Sequence, residues 1–103
     1  MPRIIGGYTH YNNDNRCIIR IYKVSKMDFV AKRTDYHQSV KVTNRCNVFI
    51  CCFKLRYNTL YKSINGKIVG EGVKVEKGDV SEAAIRIMIE SEPFLYNAFY
   101  KKY

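Results

Sequence analysis

The sequence predicts an α+β fold, in which a mostly antiparallel sheet of about five to six strands is covered on one face by one or two C-terminal helices. Residues 16–69 contain successive runs with the two-residue alternation of strands, and helical periodicity begins only near residue 79. The connections between the strands are short, which favours antiparallel pairing. A small open barrel closed by the helix is the alternative. A chain of 103 residues has room for one core, so we expect a single small basic domain over residues 1–103.

The N-terminal part predicts a loop followed by a strand. Residues 8–15 are rich in Asn and contain Asp, whose side chains compete for backbone hydrogen bonds, so we expect a turn or loop here. Residues 16–24 alternate and are rich in β-branched side chains, which predicts a strand. One face carries Cys17, Ile19 and Ile21, and the other carries Arg20 and Tyr22.

Two shorter strands are expected next. A turn at Ser25-Lys26 leads into a strand over residues 27–33, because Met27, Phe29 and Ala31 fall on one face. Residues 34–38 are polar and separate this strand from the next one. Another short strand is indicated by Val40 and Val42.

Residues 46–57 form the clearest strand pattern of the chain. One face begins apolar and ends in Lys54 and Arg56, and the other is apolar along its whole length. A strand with apolar residues on both sides is central in its sheet or covered on both faces. The wholly apolar face carries Phe49, Cys51, Phe53, Leu55 and Tyr57. We expect the first four of these residues to pack against the helix.

A hairpin is expected at Asn65-Gly66, which separates two strand-like runs. Both residues of such a turn adopt positive φ, which Asn and Gly tolerate best. Gly70 and Gly72 predict a bulge or a close approach of the backbone in the returning strand.

The strongest helical pattern starts near Asp79, which together with Glu82 fits a capping box. A second helix is predicted after Ser91 as its cap, with Pro93 in its first turn. The apolar residues at helical spacing in the first helix are Ala83, Ala84, Ile87 and Met88.

The cysteines and histidines do not form a pattern typical of a metal or catalytic site. Cys51 and Cys52 are adjacent in a strand and point to opposite faces, which disfavours their binding one zinc ion. His10 and His37 could act as acid and base in a metal-free ribonuclease only if the fold brings them together. We therefore expect no enzyme, no cofactor and no metal. No secretory segment is apparent, so we expect reduced thiols and an intracellular location, in the cytoplasm or, for a viral protein, in the host cytoplasm or nucleus.

The net charge of +9 and the pI of about 9.5 indicate a polyanionic or acidic partner. The charge is uneven, because residues 1–67 carry a net +10 and residues 68–103 a net −1. No run of about 18 apolar residues occurs, so we expect no membrane span. Phe, Tyr, Met, Ile, Asn and Lys, which A/T-rich codons encode, make up 47 of the 103 residues. We expect a virus or mobile element as the source, and this bias explains part of the lysine excess.

Basic residues interleaved with tyrosines are typical of surfaces that bind nucleic acid, since cations neutralise phosphates and rings stack on bases. We predict a small basic protein that binds DNA or RNA through the solvent face of its sheet. The alternative is a non-enzymatic inhibitor or adaptor that masks an acidic surface of a host protein. The oligomeric state, a homodimer included, stays open. The residues predicted to contact nucleic acid are Arg20, Tyr22, Lys32, Lys41, Lys54, Arg56, Tyr57, Tyr61 and Lys62.

The order of elements over residues 46–91 resembles DNA-binding domains that place three strands in the major groove and support them with a helix. The likeness consists of a strand, an Asn-Gly-Lys hairpin and a Ser-Glu-Ala-Ala helix, so it concerns topology alone. It implies that Lys54, Arg56 and Lys62 would contact the bases.

Overall fold

In the computed structural model, which describes residues 2–12, 15–37 and 45–90, the strands form one antiparallel sheet in sequence order. A single helix follows the strands in the described part of the chain. The predicted α+β class is confirmed. The first and last strands are not paired with each other, so the sheet is open and the barrel alternative is wrong. The elements are β1 (Arg3–Asn12), β2 (Asn15–Lys23), β3 (Asp28–His37), β4 (Arg45–Arg56), β5 (Thr59–Ile64), β6 (Lys67–Lys74) and α1 (Val80–Glu90).

The turn between β5 and β6 has the predicted backbone. Asn65 and Gly66 have φ angles of 52° and 80°, as the two central residues of a hairpin turn of this type require. Gly70 has a φ of 73° in the returning strand, whose pairing with β5 shifts register. A side chain at Gly72 would collide with Tyr61, because its Cβ would lie 2.8 Å from the ring atom Cδ1. The predicted bulge and the predicted close approach are therefore both present.

The core lies between one face of the sheet, here called the helix face, and α1. Phe49 and Phe53 of β4 belong to this core, and Cys51 and Leu55 pack against it, so this side of β4 faces the core as predicted. Tyr57 does not belong to it, because it lies in the turn after β4 with a φ of 58°. The buried apolar residues are Ile19, Ile21, Phe29, Ala31, Phe49, Phe53, Leu60, Val75, Ala83, Ala84, Ile87 and Met88.

The helix begins where the sequence predicts, with Asp79 as its N-cap. Asp79 Oδ1 accepts hydrogen bonds from the Ser81 hydroxyl at 2.7 Å and from the Glu82 N–H at 3.1 Å. These bonds, the one from Ser81 first, lower the pKa of Asp79. The reciprocal half of the capping box does not form. The Asp79 N–H donates to the carbonyl of Glu76, and the Glu82 carboxylate pairs with Arg86 at 3.0 Å.

Two sequence predictions about loops are wrong. Residues 8–12 belong to β1, and β3 continues through residue 37 instead of ending before the polar stretch. Both segments complete hydrogen-bond ladders with β2, and such pairing overrides a weak intrinsic preference for strand. The strand predicted at Val40 and Val42 and the helix predicted after Ser91 lie outside the described residues.

Two charged side chains of β3 lie on the helix face, Arg33 within the predicted strand and Asp35 in its extension. Arg33 and Asp35 are 2% and 4% exposed. Arg33 Nε donates to Asp35 Oδ1 at 2.9 Å, and its Nη1 donates to the carbonyl oxygen of Met88 at 3.4 Å. The described residues offer no hydrogen-bond partner to Asp35 Oδ2. The hydrogen bond from Arg33 to Met88 connects the last turn of α1 to the sheet. Because Arg33 is buried and paired with Asp35, it does not add to the positive surface.

Candidate nucleic-acid interface

The face of the sheet opposite α1, here called the open face, carries most of the residues predicted to bind nucleic acid. Paired residues of antiparallel strands point to the same side, so the register assigns side chains to rows across the sheet. The rows on the open face are Tyr11–Arg16–Tyr36, Ile18–Thr34–Val48, Arg20–Lys32–Ile50, Tyr22–Val30–Cys52–Ser63, Asp28–Lys54–Tyr61 and Arg56–Thr59–Lys74.

Six of the nine predicted contact residues share this face. The placement of Lys62 there is wrong, since Lys62 is paired with Phe53 and therefore lies on the helix face with Leu60. Tyr57 lies in the β4–β5 turn and is 92% exposed at one end of the sheet. Lys41 lies outside the described residues. The six residues on the open face are Arg20, Tyr22, Lys32, Lys54, Arg56 and Tyr61.

The centre of the open face has two cations directly opposite each other. Arg20 of β2 is paired with Lys32 of β3, and both side chains are exposed. Among the described residues, neither forms an ion pair with a carboxylate. Like charges at directly opposite positions destabilise an antiparallel pair. These two side chains therefore add nothing favourable to the folded state through their charges.

Lys54 differs from the other cations because it already has an acidic partner. Its Nζ lies 2.8 Å from Asp28 Oδ1, and the Ser25 hydroxyl donates to Asp28 Oδ2 at 2.6 Å. The hydrogen bond from Lys54, and then that from Ser25, lowers the pKa of Asp28, which is ionised at neutral pH. Asp28 is the one acidic residue that the described register places on the open face. The cations there are Arg16, Arg20, Lys32, Lys54, Arg56 and Lys74, so the face is strongly positive.

Sequence reasoning missed the row formed by Tyr11, Arg16 and Tyr36. The guanidinium carbon of Arg16 lies 4.4 Å from the ring centroid of Tyr36, and Tyr11 on the other side is 69% exposed. Arg16 lies on the same face of the predicted strand 16–24 as Arg20, so the alternation already placed it on the open face. The alternation pattern could not assign Tyr11 and Tyr36 to a face, because the segments containing them were not predicted to be strands.

The open face also has apolar residues. Ile50, next to Lys32 in the central row, is 67% exposed, although β4 lies in the interior of the sheet. The apolar pattern of β4 predicts a strand that is central or covered on both faces. The strand is interior to the sheet, but its open face is not covered. The two adjacent cysteines point to opposite faces, as predicted. Cys52 is exposed on the open face, whereas burial on the helix face raises the pKa of the Cys51 thiol.

Residues 2–12, 15–37 and 45–90 contain neither a metal-binding cluster nor a membrane-spanning helix. In these ranges no three His, Cys, Asp or Glu side chains come together as they would to hold a metal ion. The helix in the same part of the chain is too short and too polar to cross a membrane.

Comparisons with known proteins do not constrain the function. No family model, no characterised protein and no solved structure matches the chain.

Proposed function

We propose that this protein binds nucleic acid through the open face of its sheet. The observation that supports this most is the pairing of Arg20 with Lys32, two exposed cations opposite each other with no acidic partner among the described residues. Such a pair is unfavourable for folding and becomes favourable when an anion lies between its members. A phosphate group of a nucleic-acid backbone is an anion of that kind.

The cations extend along the sheet as a track. Arg16 shares a row with Tyr36, which pairs with Cys46, and Arg56 lies ten residues further along β4. At about 3.3 Å per residue this distance is roughly 33 Å. A track of that length with cations at intervals can contact several phosphates of one strand, and each contact releases condensed counterions.

The width of the face favours a single strand over a duplex. Six strands about 4.8 Å apart form a surface roughly 24 Å wide, whereas the major groove is about 12 Å wide and admits a two-stranded ribbon. A single strand can lie on the surface, where bases stack on tyrosine rings. Tyr11, Tyr22 and Tyr36 lie among the cations and supply such rings. The groove-binding arrangement implied by the topological resemblance needed Lys62, which lies on the helix face.

The test is a fluorescence-anisotropy titration with a single-stranded oligonucleotide of about 12 nucleotides, a length within the range of sheet-based single-strand binders. Binding is measured between about 50 and 200 mM salt. Arg20, Lys32 and Arg56 are replaced together by Gln. Each phosphate contact to a single strand contributes about 0.7 to the slope of log affinity against log salt, so the slope should become shallower by about 2.

A matched control separates a site from a general effect of charge. Replacing Lys62, Lys67 and Lys77 by Gln changes the net charge equally, but these residues lie on the helix face or in the turn before α1. The control variant should keep the wild-type slope. Equal losses in both variants would contradict a site on the open face. No salt-dependent binding of the wild type to single- or double-stranded DNA or RNA would contradict the proposal altogether.

One observation favours an acidic protein surface as a second candidate partner. Ile50 and Cys52 are exposed in the middle of the basic face, and an apolar centre within a polar rim is typical of protein interfaces. Negative titrations with all nucleic acids, together with capture of an acidic protein by the wild type and not by the Arg20, Lys32 and Arg56 variant, would favour this candidate.

A further inference from the structure

A cavity of about 360 Å³ lies on the helix face, beside the first turn of α1 and at the ends of β1 to β4. This volume is at the lower end of the range of about 300–1,000 Å³ typical of small-molecule sites. The cavity is formed by different side chains from those of the open face, so it does not belong to the proposed nucleic-acid interface.

The wall of the cavity contains three cations. Arg3 of β1 is paired directly with Lys23 of β2, and Lys26 comes from the turn between β2 and β3. Lys23 Nζ lies 5.9 Å from the ring centroid of Phe29, so its ammonium group is close to this residue of the wall. None of the three forms an ion pair within the described part of the chain. As with Arg20 and Lys32, the pairing of Arg3 with Lys23 is unfavourable until an anion binds.

The remaining wall is apolar apart from the helix cap. Ile5, Phe29 and Leu55 form the apolar part. Asp79 is the one carboxylate in the wall, and its Oδ1 already accepts hydrogen bonds from Ser81 and Glu82. Because the Glu82 N–H is used in this way, the cations and not the end of the helix would hold an anion. Three cations and one carboxylate give the wall a net charge of +2.

We propose that this cavity binds a phosphate monoester with a planar aromatic body, of which a nucleoside 5′-monophosphate is an example. A phosphomonoester carries about −1.5 to −2 charges at neutral pH, which matches the charge of the wall. Arg3, Lys23 and Lys26 hold the phosphate, and the aromatic body packs on Ile5 and Leu55. The proposal is independent of the function proposed for the open face.

The probe is adenosine 5′-monophosphate, with binding measured by calorimetry and by the rise in melting temperature of the wild-type protein. We expect saturable binding at concentrations up to about 1 mM. Adenosine and inorganic phosphate, which each lack one half of the ligand, should bind at least tenfold more weakly. Replacing Lys23 and Lys26 by Gln should reduce the affinity for the monophosphate at least tenfold.

The matched control is the double replacement of Arg20 and Lys32 by Gln, which should leave monophosphate binding unchanged while weakening oligonucleotide binding. A second variant, Leu55→Phe, fills part of the cavity without changing its charge and should weaken binding of the monophosphate as well. The Leu55→Phe variant provides the test if circular dichroism shows that the Lys23 and Lys26 variant does not fold. No monophosphate binding by the wild type, equal affinity for inorganic phosphate, or equal losses in the control variant would each overturn the proposal.

Discussion

The two faces of the sheet are made by the same strands, yet they differ in what folding requires of them. In β2, Ile19 and Ile21 are fully buried beneath α1, while Arg20 between them is exposed on the open face. A slip of one residue in the pairing would place both isoleucines in water, so the helix face sets the register of the whole sheet. The positions of the side chains on the open face follow from this register, and these side chains do little to stabilise it.

This difference makes the charges of the open face informative. Folding would be indifferent to neutral polar residues at positions 20 and 32, or would prefer them, because Arg20 and Lys32 repel each other across the pair. Lys54 and Arg16 differ, since the ion pair of Lys54 with Asp28 links β3 and β4, and Arg16 lies over the Tyr36 ring of the neighbouring strand. The cations that do not help the fold are the ones that the proposed binding of an anionic partner would explain.

The largest expected effect tests the helix face. Phe53 is almost fully buried in the core, so Phe53→Ala should lower the free energy of unfolding by about 3–5 kcal/mol. Ile50→Ala in the same strand removes an exposed side chain and should change it by no more than about 0.5 kcal/mol. Urea unfolding followed by circular dichroism measures both. If both variants lowered the free energy of unfolding by similar amounts, the two faces would not differ in their importance for folding as their burial indicates.

A smaller effect tests how α1 is held on the helix face. Asp79→Ala removes the N-cap and should lower stability by about 1 kcal/mol at neutral pH. The pKa of Asp79 is lowered in the folded protein, so its contribution is complete above the unfolded value near 3.8 and is lost as the pH falls through the folded value. The urea midpoints of wild type and variant should therefore converge in acid and stay apart above about pH 4. A difference that persists unchanged in acid would contradict the role of the ionised cap.

The smallest effect concerns the open face and has the opposite sign. Replacing Lys32 by Gln relieves the repulsion with Arg20 and should raise stability by about 0.2–1 kcal/mol at low salt. Because screening weakens the repulsion, the gain should shrink as salt is added. The measurement is again urea unfolding, at two ionic strengths. A loss of stability would mean that Lys32 supports the fold, and the pair would then no longer point to an anionic partner.

The sequence alone determined the features that depend on a few neighbouring residues. Alternation identified the buried side of β2 and of β4, Asn65-Gly66 predicted a hairpin through its need for positive φ, and Asp79 marked the start of α1. Only the tertiary structure decided the rest. Pairing with β2 made residues 8–12 part of β1, and the extension of β3 buried Asp35 beside Arg33. Pairing with β4 placed Lys62 beside Phe53 on the helix face, away from Lys54. The physical reason is that φ preferences and caps are local, whereas the face a charged residue occupies follows from the register between strands, which the burial of the whole core sets.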